Sequence, residues 1–289
     1  MAVLRYLQLD VFAPRPGTGN PLGALLDADD LSGEQMQALA AWLNLSETVF
    51  FLRPSAPGAD YHIRIFTPTR ELAFAGHPSV GAAWAAVSCG LAQPRDGALL
   101  QQCAAGLLPV RVSGPAEALE IQLASPAARQ LDTAADGAPE ALALATNGHV
   151  PELWDNGARW WLLPLRDAAA VRNLAPDMAA LADWSLATDA TGVAVFADEA
   201  GSDHTRVVRA FCPADAASVP EDPVTGSANA LIGAWLRQRN ALPGREGHYV
   251  ASQGREVGRD GRVQVQVDAQ GTVWIGGQVQ PVIDGHIRW

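Results

Sequence analysis

The chain has 289 residues, 48% hydrophobic and 18% charged, with a formal net charge of −11. Length and composition predict a globular protein of one large or, preferably, two medium domains, with no disordered or collagenous bias. So much negative charge repels a polyanionic backbone, and nucleic acid is not an expected partner. No apolar run reaches the roughly 18 to 20 residues needed to span a bilayer, and MAVLRYLQLDVF alternates like a strand and lacks the tripartite pattern of a signal peptide. No membrane partner and a cytoplasmic location are expected.

All 20 basic residues counted as Lys+Arg are arginine. The missing lysine removes pyridoxal Schiff-base chemistry, Walker A nucleotide binding and lysine-dependent aldol chemistry. Cys89, Cys103 and Cys212 form no CxxC pair and suit buried thiols in a reducing compartment. The six histidines show no metal-ligand spacing, so no metal is expected.

In chain order, Leu7, Leu9 and Val11 alternate with Gln8 and Asp10, predicting a half-buried strand that ends in the loop PRPGTGNP, with a second strand over 21–28. Ser32 and Gln35 form a capping-box pattern, and Met36, Leu39, Ala40 and Leu43 share one face of a helix over about 33–44. Strands are predicted at 48–52 and 61–66, then a helix from Pro78 to about Cys89 that Gly90 ends. Further strands fall at 98–103, 107–113 and 119–123, and ASPAARQLDTAADGAP reads as an interdomain connection. Beyond it come a helix near 138–146, a strand near 159–163, a helix near 176–183, strands at 192–197 and 205–212, and a helix at 226–239. The period-two runs RVQVQVD and GTVWIGG predict a closing antiparallel pair or meander. Strands outnumber long helices without regular βα alternation, which favours α+β with antiparallel sheets. The domains expected are 1–124 plus 278–289, and 125–277.

One pattern recurs half a chain apart. Arg64-Ile65-Phe66-Thr67-Pro68 precedes Gly76-His77-Pro78 and a small-residue helix bearing Ala83-Trp84, while Arg209-Ala210-Phe211-Cys212-Pro213 precedes Gly226-Ser227 and a helix bearing Ala234-Trp235. Either the chain is an internal duplication or five residues agree by chance. In a duplication with a pseudo-twofold axis, two helix N-termini would face one cleft and form an anion site that needs no lysine.

Six positions carry candidate chemistry. Glu47 lies at the mouth of a buried strand, where desolvation would suit general acid/base work, or it is a solvated element end. His77 lies at a helix start, where the dipole and amides disfavour the cation; it is either a neutral proton-relay or donor group, or a capping or partly buried residue. Asp222, held before Pro223, caps the next helix or serves as a second acid. Gly76 and Gly226, with small neighbours, admit a ligand to the backbone or are ordinary helix starts. Ser227 is a cap or a hydroxyl donor, and it lacks the GxSxG setting of a hydrolase nucleophile.

The chain resembles the phenazine-biosynthesis F protein (PhzF-like) isomerases and epimerases. The matching stretches are Gly19-Asn20-Pro21, Asn44-Leu45-Ser46-Glu47-Thr48, Arg64 to Pro68 with Phe74-Ala75-Gly76-His77-Pro78, Glu221 to Ala228, and Gly276-Gly277-Gln278, in family order. The resemblance implies a diaminopimelate-epimerase-like fold: two pseudo-symmetric domains, each an antiparallel barrel-like sheet around a central helix, with the active site in the cleft between them. It implies a cofactor-independent proton shift or epimerisation on a small carboxylate-bearing substrate, and a homodimer. By the same resemblance Glu47 is the acid/base, and Gly76, His77, Asp222, Gly226 and Ser227 are active-site positions. Asn229 departs from the histidine that many relatives carry, a difference bearing on substrate selection. The diaminopimelate epimerases carry a cysteine at each helix start; Gly76 and Asp222 stand there here, which disfavours a two-thiol racemase.

The reading adopted is an isomerase, similar to the phenazine-pathway dihydro-hydroxyanthranilate isomerases, with Glu47 carrying the proton. The alternatives are an amino-acid epimerase with Glu47 and Asp222 as opposed bases, and a catalytically silent small-acid binding protein. Activity is expected to survive chelators, dialysis and replacement of all three cysteines. Loss to a chelator reversed by one specific divalent metal would refute the cofactor-free scheme.

Overall fold

A computed structural model describes residues 3–140, 142, 146, 148–199, 203–213, 220–244 and 247–289. The chain divides into two compact units: Met1–Ala124 with Gly276–Trp289, and Ser125–Ile275.

Unit 1 opens with β1 (Val3–Val11), which pairs antiparallel with β2 (Asn20–Leu25) on one side and with the last strand, β18 (Val279–Arg288), on the other. Helix α1 (Gly33–Leu43) begins at a complete capping box: the Ser32 hydroxyl accepts from the Gln35 N–H and the Gln35 side chain accepts from the Ser32 N–H. Asn44, left-handed at φ 52°, ends it. β3 (Glu47–Leu52) then runs parallel to β2, and β4 (Tyr61–Phe66) returns antiparallel to β3. The two-residue β5 (Glu71–Leu72) folds back on β4 and feeds helix α2 (Gly76–Ser88). β6 (Ala98–Cys103) pairs parallel with β4, and β7 (Gly106–Ser113) and β8 (Glu120–Ala124) continue antiparallel.

Ten of the 13 residues of α2 are buried, from Gly76 to Ala86 with Trp84 excepted. Its glycine and alanine content allows strands to lie directly against it. At Gly81 a Cβ would come within 2.4 Å of the Leu22 side chain and 2.9 Å of that of Val11, so only glycine admits this approach.

Unit 2 starts with β9 (Arg129–Gln130), β10 (Glu152–Asp155) and β11 (Arg159–Pro164), paired antiparallel in that order. Short helix α3 (Ala168–Arg172) and α4 (Met178–Ala187) are capped by Asp167 and Asp177. β12 (Gly192–Asp198) runs parallel to β11, and β13 (Arg206–Phe211), buried at every position, pairs antiparallel with β12. The two-residue β14 (Glu221–Asp222) folds back on β13 ahead of α5 (Gly226–Gln238). β15 (His248–Gln253) pairs parallel with β13, β16 (Gly261–Val267) antiparallel with β15, and β17 (Val273–Gly277) returns the chain toward β18. Stacked Trp161 and Trp184, ring centroids 4.5 Å apart, lie in the core.

The two units follow one plan: a parallel pair, an antiparallel return, a two-residue hairpin strand, a glycine-initiated helix, a strand parallel to the return strand, and an antiparallel partner. The repeat is therefore structural, beyond five matching letters. The class is α+β, and each unit includes two parallel strand pairs that alternation alone did not reveal. Of the helix expected over 138–146, positions 141 and 143–145 lie outside the described residues. Strands β10, β15 and β18, the short β5, β9 and β14, and helix α3 are additions to the predicted set.

The same ion pair closes the hairpin in both units. Arg64 donates from Nε and Nη2 to the two carboxylate oxygens of Glu71 at 2.7 and 2.6 Å, and Arg209 does so to Glu221 at 2.9 and 2.7 Å. Each guanidinium also stacks over the phenylalanine two residues on, 5.0 Å from Phe66 and 4.8 Å from Phe211. The settings differ. The Arg64 and Glu71 side chains are 30% and 36% exposed, those of Arg209 and Glu221 only 9% and 8%. Arg209 also donates to the carbonyls of Val171 and Leu174, tying down the end of α3. Arg209→Met, which leaves Glu221 buried and uncompensated, is expected to cost about 3–5 kcal/mol of stability in chemical denaturation. Arg64→Met should cost about 1 kcal/mol or less.

Candidate active site

In unit 1 the parallel register places Glu47, the first residue of β3, beside Leu22. Its side chain is 18% exposed, and its Oε2 lies 3.5 Å from Nε2 of His77, the second residue of α2, itself 4% exposed. The other ring nitrogen, Nδ1, faces the Asn20 amide at 3.4 Å, and Asn20 Oδ1 accepts from the Ser46 hydroxyl at 3.1 Å. Asn20 is itself placed by Asp10, whose buried Oδ2 accepts from the N–H groups of Gly17 and Gly19 at 2.7 and 3.1 Å and shapes the loop leading into β2.

Burial pushes His77 down to about 3, against backbone hydrogen bonding at Pro21 that acts in the opposite direction. The ring is therefore neutral across the physiological range, with one N–H and one lone pair shared between its faces. Neutrality agrees with the sequence expectation, but its main cause is desolvation and not the helix dipole.

In unit 2, Asp222 ends β14 half-buried. Its Oδ2 accepts from the Thr225 hydroxyl at 2.8 Å and its Oδ1 from the Val224 N–H at 3.3 Å. Gln253 on β15, 1% exposed, donates to the Asp222 carbonyl and the Thr225 hydroxyl and accepts from the Thr225 N–H and the Asn229 amide. Asn229 is fully buried and also donates to the Thr225 carbonyl at 2.8 Å. It thus belongs to the scaffold beneath the helix start. Ser227 is held from two sides: Trp160 Nε1 donates to its hydroxyl and Asn156 Nδ2 to its carbonyl, each at 3.1 Å.

These positions decide between readings left open by sequence. The helix N-caps are Ala75 and Thr225, and neither makes a side-chain capping hydrogen bond. Asp222 and Ser227 are therefore not the N-cap residues of these helices. Glu47, Gly76 and His77 come together in unit 1, and Asp222, Gly226 and Ser227 in unit 2. Asn20, Gln253 and Trp160 had not been singled out as site-forming residues. Asn20 was visible inside Gly19-Asn20-Pro21, whereas Trp160 looked like any core aromatic in Arg159-Trp160-Trp161-Leu162. None of the three cysteines lies at either helix start: Cys89 follows α2, Cys103 ends β6 and Cys212 follows β13.

Each unit repeats one strand, glycine and helix plan, and the proteins that share it are isomerases and epimerases. A family model described as phenazine biosynthesis-like protein matches residues 9–285, and the chain belongs to that family. It is 35% identical to trans-2,3-dihydro-3-hydroxyanthranilate isomerase of Pseudomonas aeruginosa, over 92% of this chain and 91% of the relative. It is also 35% identical to antisense-enhancing sequence 1 of Schizosaccharomyces pombe, over 97% of each. The crystal structure of a phenazine biosynthesis protein of the PhzF family from Bacillus anthracis superposes with a TM-score of 0.84 at 25% identity, covering 100% of both chains. The protein is an enzyme of the isomerase and epimerase class, which sets aside the silent binding protein.

The depressed His77 value has a thermodynamic consequence. Unfolding releases a histidine that binds a proton below about 6.5, whereas the folded ring resists protonation until about 3. Its contribution to stability is therefore complete above about pH 6.5 and declines as the pH falls toward 3. Between pH 7 and pH 4.5, wild type should lose roughly 2–3 kcal/mol more stability than His77→Asn, measured by urea unfolding at both pH values.

Proposed function

We propose that the enzyme moves a proton on a small carboxylate-bearing substrate, with Glu47 as the general acid/base. The observation that carries this reading is the half-buried Glu47 carboxylate set 3.5 Å from an imidazole that stays neutral. A protonated histidine there would form an ion pair with Glu47 and weaken it as a base, whereas neutral His77 places no positive charge against the carboxylate.

In this scheme Glu47 takes a proton from a carbon activated by an adjoining unsaturated or carboxyl-bearing system, and the electron pair shifts into that system. The proton then returns from Glu47 to another carbon, or to the opposite face of the same one. No external oxidant, reductant or group donor enters the balance. In unit 2, Gly226 allows a substrate carboxylate to approach backbone N–H groups at the start of α5, and the Ser227 hydroxyl adds a donor; in unit 1, Gly76 leaves the start of α2 open in the same way. Asp222 acts as a second polar contact. The isomerase of Pseudomonas aeruginosa directs the choice of first test compound to trans-2,3-dihydro-3-hydroxyanthranilate.

Reaction in D2O should place deuterium at the carbon that receives the proton, and Glu47→Gln should slow turnover by about 10²- to 10⁴-fold with an unchanged melting temperature. A Glu47→Gln enzyme within a few-fold of wild type, in an assay limited by chemistry, would reject the assignment. Product stereochemistry separates a double-bond shift from inversion at one carbon.

A further inference from the structure

We propose that Trp160 is a positioning residue: its indole N–H occupies a lone pair of the Ser227 hydroxyl, so that the serine proton points outward as a donor to the substrate carboxylate. The inference rests on the preceding reading, in which Ser227 touches substrate.

The chemistry follows from what each group can do. An indole nitrogen donates and never accepts, whereas a serine hydroxyl has one proton and two lone pairs. With Trp160 Nε1 3.1 Å from Ser227 Oγ, the oxygen must be the acceptor. Among the described residues no side chain or carbonyl accepts the serine proton, which is therefore free for a ligand. Trp160 is 2% exposed on β11, so water competes little for its N–H.

The same hairpin holds the serine backbone. Asn156, in the turn between β10 and β11, donates from Nδ2 to the Ser227 carbonyl and to Ser125 Oγ, each at 3.1 Å. That turn is stiffened by the Gly157 N–H donating to Asp155 Oδ1 at 2.8 Å. Unit 1 treats the equivalent position in the same manner: the second residue of α2, His77, meets Asn20 at the start of β2. In each unit the first hairpin orients the side chain at the second position of the buried helix, and in unit 2 the orienting group is a donor that cannot reverse its role.

The test is a double-mutant cycle on Trp160→Phe and Ser227→Ala, with trans-2,3-dihydro-3-hydroxyanthranilate as the probe and deuterium uptake as the assay. Ser227→Ala should raise KM about tenfold or more, as expected for a donor lost from a carboxylate. Trp160→Phe should raise KM roughly two- to tenfold with kcat little changed, the pattern of lost uniform binding, and should add nothing in the Ser227→Ala background. The same fold-loss in both backgrounds, or an unchanged KM in Trp160→Phe, would overturn the proposal by reducing Trp160 to packing. An unchanged KM in Ser227→Ala would overturn it too, but would fault the substrate contact, and Glu47→Gln would still report on the proton transfer. A readout independent of how well Trp160→Phe folds comes from 15N-labelled protein. One of the nine tryptophan indole N–H resonances should shift strongly on Ser227→Ala and respond to substrate, and if none does, the hydrogen bond is refuted.

Discussion

A forked arginine–glutamate pair closes the short hairpin in front of the glycine-initiated helix in each unit, and the placement of the candidate residues follows from that closure. Glu71 and Glu221 each stand five residues before the helix glycine. Locking them to Arg64 and Arg209 therefore sets where the chain enters α2 and α5. The two copies differ in energetic weight. Around Arg209 the pair is buried and extends to the carbonyls of α3, so both charges depend on each other; around Arg64 water shares the solvation.

Behind each hairpin lies a second constraint, the burial of a helix start. α2 is made almost wholly of small residues so that β1 and β2 can press against it, which places His77 in the interior while Glu47 at the strand mouth keeps partial access to solvent. Magnitudes identify the dominant electrostatic effect. A helix dipole is worth about 0.3–1 kcal/mol, under one pKa unit. The fall of His77 from 6.5 to about 3 is several times larger, as desolvation of a fully enclosed imidazolium requires. Histidine here is a neutral neighbour, and the charge beside it belongs to the Glu47 carboxylate.

Unit 2 reaches a comparable degree of order by different chemistry. The equivalent helix position carries Ser227, and its surroundings are amides and an indole: Asn156, Trp160, Asn229 and Gln253. Buried amides have fixed donor and acceptor ends and do not titrate, so their network orients Asp222, Thr225 and Ser227 in the same way at any pH where the fold persists. The two units thus share a scaffold and differ at the second position of the buried helix, His77 in α2 and Ser227 in α5.

Much of this was legible in the linear chain. Period-two runs located β1, β4 and β16 to within a residue or a few, apolar strand-like runs located β3 and β6, the Ser32–Gln35 box set the start of α1, and the recurrence of Arg64-Ile65-Phe66 as Arg209-Ala210-Phe211 pointed to the repeat. Local patterns suffice there because caps and alternation are properties of neighbouring residues. Pairings across the chain were not legible. Nothing in Arg64 or Arg209 alone indicates that Glu71 and Glu221 are their partners, and the two-residue strands that bring them together are too short to show a period. Parallel pairing of β2 with β3 likewise leaves no mark on either strand. The sequence by itself determined the element types, the acidic lysine-free chemistry and the identities of Glu47, His77 and Asp222 as candidates. Tertiary structure alone decided that His77 is neutral through burial, that Asn20 meets its ring, and that Trp160 holds Ser227, because each depends on side chains distant along the chain meeting within a few ångströms.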